Sequence, residues 1–244
     1  MDIIKKLAQE LAIKEEQAKA AVQLIDEGNT IPFIARYRKE MTGALNDETL
    51  RNLHERLLYL RNLEEKKEQV INAITDQGKM TEDLKKKILS AETLVAVDDL
   101  YRPYRPKKQT RATKAKEKGL EPLANILLLQ KTTKSMEEEA AAFVNAEKGV
   151  ANAKEAIAGA KDIIAEMIAD MADYRKSIRN CTMKQGSLVV KAKDEKAESV
   201  YEMYYDFREP LSKVTGYRVL AINRGEKEKF LTVKIEAPQD DILR

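Results

Sequence analysis

The 244-residue sequence has one cysteine, one histidine, no tryptophan and only nine glycines. With a single cysteine, Cys181, no internal disulfide can form, which fits a reducing, cytoplasmic setting. Cys181 and His54 cannot by themselves build a His/Cys zinc site. A serine or cysteine triad would have to use His54 as its base. Neither GxxxxGKS/T nor GxGxxG occurs, so no phosphate-cradling glycine loop is indicated. No run of about 18 apolar residues is present, so no membrane span is expected. The opening MDIIKKLAQE lacks the apolar stretch of a signal peptide. Asp98 and Asp99 are adjacent, and side chains of adjacent helical residues point about 100° apart. They are read as partners for nearby arginines and not as metal ligands. His54 is expected at a surface or boundary position, and Cys181 as a structural thiol. These absences leave no cofactor and no catalytic group indicated.

The hydrophobic share is 43%. A chain of this length buries roughly 70–75% of its unfolded surface, so it needs no metal or disulfide staple. Charged residues make up 35%, against roughly 25% in an average soluble domain. The net charge of +3 is unevenly spread. Between Arg102 and Lys118 eight basic residues face one acid, Glu117, giving that segment +7 and leaving −4 for the rest. A localised positive stretch of this kind is the usual footprint of a phosphate-backbone partner.

Periodicity predicts helix after helix through residue 185. Ile3, Ile4, Leu7, Ala8 and Leu11 recur at helical spacing, then Ala18, Ala21, Val22 and Ile25, with Gly28 as a C-terminal stop. Pro32 is expected to keep Ile31 out of a helix. Asn46 caps a helix of about 30 residues, about 45 Å long, striped by Leu50, Leu53, Leu57, Leu60, Leu63, Val70, Ile71 and Ile74. Shorter helices are expected over Thr81–Ala91 and Thr93–Tyr101, and a non-helical stretch over Arg102–Thr113. Thr113 is expected to cap the next turn, Pro122 to open another helix, and Ser135 with Glu138 to form a capping box. Asn152 caps Ala153–Met171, whose face from Ala156 to Ile168 reads as buried. Asp173 is expected to cap a further helix ending before Gly186. Beyond Gly186 the period becomes two: residues 188–193 and 230–235 read as strands, which either pair with each other, as their similar length and alternation favour, or take partners outside this sequence. Glu195–Tyr205 and Tyr217–Arg224 read as helices between them. The closing APQDDILR has no terminating logic and is expected to lead into further chain.

In the basic stretch, Tyr101, Tyr104, Pro103 and Pro106 alternate with Arg102, Arg105 and Lys107. Flat guanidinium donors beside tyrosine rings suit phosphates and unstacked bases. Equally, the tyrosines and prolines could lock the stretch onto the helices while the charges stay solvated.

IPFIARYRKEMTGAL (31–45), DDLYRPYRPKKQTRATKAKEKGLEPLA (98–124) and DFREPLSKVTGYRVLAINRGEKE (206–228) together resemble the N-terminal region of the bacterial Tex family of transcription accessory proteins. The resemblance covers nearly the whole chain. It implies a nucleic-acid-binding, transcription-related role. It also implies that family members continue into a nuclease-like YqgF domain regarded as non-catalytic, a helix-hairpin-helix module and an OB-fold RNA-binding domain, none of which is expected within these 244 residues. Most nucleic-acid affinity would lie in those modules, so this chain should bind weakly.

The segment IPFIARYRKEMTG follows a helix pair, and the family's N-terminus is similar to a helix-turn-helix. Arg36, Arg38 and Lys39 could then face phosphates, or Ile31, Phe33, Ile34 and Tyr37 could simply anchor the segment between helices. No other recognition-helix chemistry is evident.

The expected fold is mainly α: a multi-helical scaffold with one long spine helix, plus a small β element near the C-terminus. Residues 1–185 form the helical domain and 186–244 a small mixed α/β segment. The expected function is non-sequence-specific binding of RNA or DNA by phosphate contacts from Arg102, Arg105, Lys107, Lys108, Arg111 and Lys114, with no enzymatic chemistry. The alternative is an interaction scaffold that organises downstream domains or docks transcription machinery.

Overall fold

The computed structural model describes residues 2–244. Its contacts divide the chain into two compact units, one running to Pro106 and one from Lys107 to Arg244. The expected boundary at residue 185 falls inside the second of these, between its last long helix and its first strand. Among the described residues no helix is long and apolar enough to cross a membrane.

In the first unit, the opening periodicity resolves into α1 (Ile3–Glu10) and α2 (Glu15–Asp26), followed by α3 (Ile31–Tyr37) and α4 (Lys39–Thr42). Pro32 does not keep Ile31 out of α3. The extended residue is Thr30, with ψ 150°. Pro32 lies in the first helical turn, where its missing N–H would have had no intrahelical partner. Complete burial of Ile34 favours the helix further.

The spine is α5 (Asp47–Asp76), 30 residues long. The Asn46 side chain accepts from the Thr49 amide at 2.7 Å. Leu50, Leu53, Leu57, Leu60, Leu63, Val70 and Ile74 are buried along one stripe. They pack with Leu7, Leu24, Ile34, Ile88 and Val97 into one core. Around the spine lie α1, α2 and α3, together with α6 (Glu82–Ser90) and α7 (Leu94–Tyr101). One stripe position holds a lysine, Lys67, only 2% exposed. Its ammonium donates to Glu64 Oε1 at 2.8 Å and to the Leu89 carbonyl at 2.9 Å. A cation there is tolerated because it is paired and because Leu89 belongs to the last turn of α6, which favours positive charge.

The second unit begins with α8 (Arg111–Glu117), α9 (Glu121–Leu129), α10 (Met136–Ala141) and α11 (Ala153–Asp170). Their core holds Ala112, Ala115, Leu120, Leu123, Ala156, Ala160 and Ile163. The apolar face of α11 is buried only in its first part. Ile157 and Ile164 are half-buried, and Met167 and Ile168 are exposed, because α8, α9 and α10 reach only so far along it. In α12 (Ala172–Gln185) the N-cap position is Met171, which makes no side-chain cap; Asp173 sits inside the first turn instead.

A three-stranded antiparallel sheet follows, ordered β2-β1-β3, from β1 (Ser187–Ala192), β2 (Asp206–Pro210) and β3 (Leu231–Glu236). β1 and β3 pair as expected, Val190 opposite Val233. β2, unexpected from the sequence, pairs on the other side with Phe207 opposite Val190. Glu195–Tyr205 is not an α-helix. It holds one 3-10 turn, Glu202–Tyr204. Local bonds replace the helical ladder: Ser199 Oγ accepts from the Tyr201 amide at 3.0 Å, and the Tyr205 hydroxyl donates to the Ala197 carbonyl at 2.5 Å. Tyr201 and Tyr204 are thereby delivered into the sheet core. The chain closes with α13 (Gly216–Lys227), the helix expected around Tyr217–Arg224, and α14 (Gln239–Leu243).

Candidate nucleic-acid interface

The stretch expected to be non-helical over Arg102–Thr113 is partly helical. It contains a 3-10 turn at Arg102–Tyr104, and α8 begins at Arg111. The cap of α8 is Thr110, not Thr113. The Thr110 hydroxyl oxygen accepts from the Thr113 amide at 3.0 Å, and the Thr113 hydroxyl oxygen accepts from the Thr110 amide at 2.6 Å. Threonine at both ends of a three-residue step satisfies two amides that have no helical partner. Ala112 and Ala115 then face inward, which leaves Arg111, Lys114 and Lys118 along one outer edge at helical spacing.

That edge borders a cleft of about 260 Å³ floored by Ala158 and Gly159 of α11. Lys118 is tied to the rim through the Gly149 carbonyl at 2.8 Å. Asp162 lies 3.7 Å from Arg111, but the arginine is 87% exposed, so the pair is loose. Lys108 and Lys114 are exposed and have no carboxylate partner among the described residues. Lys107 is different: its ammonium lies against Asp170, with Glu166 at 3.5 Å.

Arg102 and Arg105 belong to the first unit. Arg102 is exposed on the 3-10 turn. Arg105 pairs with Asp98 at 2.9 Å, the partnership expected for that acid, and its guanidinium lies 5.5 Å from the Tyr101 ring centre. Tyr101 and Tyr104 pack against the first core, and Gln77 donates to the Tyr104 carbonyl at 2.9 Å. Those rings hold the turn in place and are not free π-faces.

Arg36 lies on α3, Lys39 opens α4, and Arg38 is the residue between them. Arg36 and Lys39 are exposed and Arg38 is half-buried. Arg38 stacks 5.0 Å from the Phe33 ring centre. His54 is half-buried in a separate cleft with Asn29, Thr30 and Arg51. Among the described residues no three His, Cys, Asp or Glu side chains are grouped so as to hold a metal ion.

Residues 1–75 match the family model described as Tex-like protein N-terminal domain, and residues 131–243 match Tex central region-like. The chain belongs to the Tex family. It is 41% identical over 244 residues to the Transcriptional accessory protein Tex of Neisseria gonorrhoeae, covering 99% of this chain and 32% of that protein. Protein YhgF of Escherichia coli is 45% identical over 96% of this chain and 31% of its own length. The human S1 RNA-binding domain-containing protein 1 is 32% identical over 96% of this chain and 24% of its own. The chain thus spans about a third of the length of the bacterial Tex relatives it matches.

Sequence reasoning placed the Tex basic stretch and a helical turn after it, but started that turn at Thr113 instead of Thr110 and missed its acidic neighbours on α11. The Thr110–Thr113 spacing was the available signal for α8. Nothing local signalled Asp170, which is 63 residues from its lysine.

Proposed function

We propose that this Tex-family chain contributes non-sequence-specific phosphate contacts to a transcription accessory protein, by binding alone and without covalent chemistry. The observation that carries this reading is the outer edge of α8 together with Lys108 just before it. Lys108 and Lys114 are exposed without carboxylate partners, and Arg111 is held only loosely. Unpaired, solvated cations on and just before a short helix can trade counterions for phosphates at little structural cost. Relatives named for transcription and for an RNA-binding domain support the same direction. The contact set is narrower than the charge run: Lys108, Arg111 and Lys114 are its centre, Arg102 and Arg105 are secondary, and Lys107 is outside it.

A salt titration of RNA and DNA binding tests this. Affinity is expected in the weak range of about 10⁻⁴–10⁻⁶ M, with log affinity falling against log salt at a slope of about −0.7 per phosphate contacted on a single strand, or about −0.9 on duplex. Replacing Lys108, Arg111 and Lys114 together with alanine should remove most of that slope. Salt-independent binding, or binding indifferent to the triple change, contradicts the reading.

A second reading, an interaction scaffold, is favoured by one feature. Met167, Ile168, Met171, Tyr174 and Ile178 are all exposed along the end of α11 and the first half of α12. An apolar face of that kind suits protein contact. Failure of every nucleic acid to bind would favour it.

A further inference from the structure

Six of the seven arginines of the first unit sort into two groups. Arg51, Arg56, Arg61 and Arg105 each hold a carboxylate, on Asp47 at 2.6 Å, Glu10 at 2.5 Å, Asp26 at 2.7 Å and Asp98 at 2.9 Å. Arg36 and Arg38 hold none among the described residues, and neither does Lys39. Glu40, the one acid beside them, pairs with none of the three. Arg38 lies 5.0 Å from the Phe33 ring centre and donates to the Tyr37 carbonyl at 3.0 Å. Arg36 lies 6.0 Å from the centre of the Tyr37 ring. The two rings are 5.3 Å apart and tilted by 47°, and Tyr37 is 56% exposed.

Folding does not need this ring outside. The segment is anchored by Ile34 and Thr42, both fully buried. It is also clamped by Gln17, whose side-chain amide donates to the Thr42 and Gly43 carbonyls at 3.2 and 3.0 Å. What remains at the surface is an aromatic face flanked by three cations that no neighbouring acid neutralises. A guanidinium alone would suit a carboxylate or a phosphate equally well. A flat ring beside it adds affinity only for a ligand that offers a face of its own next to negative charge. Duplex bases hide their faces in the stack, whereas single-stranded bases expose them.

We propose that Phe33, Arg36, Tyr37, Arg38 and Lys39 form a platform for single-stranded nucleic acid, with an unstacked base against the Tyr37 ring and the flanking phosphates on the cations. The proposal rests on the nucleic-acid reading above and adds a second contact of different chemistry.

Fluorescence anisotropy with three labelled probes tests it: a single-stranded oligonucleotide, an abasic strand of equal length, and a duplex hairpin. The unmodified chain should prefer the single strand to the abasic strand. Tyr37→Ala should weaken single-strand binding at least about fivefold while leaving abasic and duplex binding unchanged. Tyr37→Phe should retain the preference, which separates loss of the ring from loss of the hydroxyl. Thermal melts by circular dichroism check that each variant folds. The α8 triple variant should weaken all three probes alike. Equal binding of the single and abasic strands, or a Tyr37→Ala variant with normal single-strand affinity, overturns the platform and points to a protein partner for this face. If the probes bind and only the α8 variant changes them, the platform alone falls. If no probe binds, both readings fall together.

Discussion

The Lys107 ammonium lies directly on the carboxylate of Asp170, at the last residue of α11, with Glu166 one turn back at 3.5 Å. The two side chains are 25% and 12% exposed. A lysine held this way in the middle of a basic run is neutralised by its neighbours, which takes it out of the proposed phosphate-contact set. Lys107→Ala is therefore expected to leave nucleic-acid affinity within about twofold, whereas it should destabilise the second unit by about 1–3 kcal/mol, because a mostly buried carboxylate loses a charged partner. Paired urea melts and salt titrations of the one variant check both halves.

Burial along α11 predicts two unequal isoleucine substitutions. Ile163 is fully buried among α8 and α9, so Ile163→Ala should cost about 2–5 kcal/mol. Ile168 is 46% exposed, so Ile168→Ala should stay within about 0.5 kcal/mol. Equal shifts of the urea midpoint would show that the buried part of the face has been drawn wrongly.

Two glycines predict different outcomes for one and the same change. A Cβ on Gly159 would overlap the buried Leu120 side chain and press on Ala115. Overpacking costs about 1–3 kcal/mol, which outweighs or cancels the roughly 1 kcal/mol that alanine gains inside a helix. Gly216, at the start of α13, has open space around it, and Gly216→Ala should stabilise by about 0.4–1 kcal/mol. Thermal midpoints of the two variants should move apart.

Acid sensitivity in the first unit should follow two forked pairs. Arg56 donates to both oxygens of Glu10 at 2.5 and 2.9 Å, and Arg61 to both oxygens of Asp26 at 2.7 Å. These hydrogen bonds, helped by the charge of each arginine, hold both carboxyls below their ordinary values against the opposing effect of burial. A depressed folded value means the stabilisation is present above the ordinary carboxylate pKa of about 4 and is lost as pH falls through the folded value. The gap between urea midpoints at about pH 7 and about pH 3 should narrow in a double Arg56→Gln, Arg61→Gln variant. An unchanged gap would place the acid sensitivity elsewhere.

The stripe of α5 and the capping by Asn46, Ser135 and Asn152 were legible in the sequence, because each depends on residues within a turn or two of one another. The charge run was legible for the same reason: eight cations close together need no fold to be counted. Apart from Arg105, whose Asp98 partner was read from the sequence, which of them stay free was not legible. That was decided by Asp162, Glu166 and Asp170, brought alongside α8 by the packing of Ala112 and Ala115 against α11. Glu195–Tyr205 shows the converse, a helical pattern overruled when Tyr201 and Tyr204 found a sheet to bury against. Lys67 occupies a stripe position where periodicity asks for an apolar residue, and only the end of α6 supplies the Leu89 carbonyl that makes a cation acceptable there. The sequence alone therefore determined most of the helices, those whose caps and apolar stripes are settled between neighbours. Tertiary structure decided which charges and rings were left to meet a partner, because pairing and burial act through space between residues far apart in the chain.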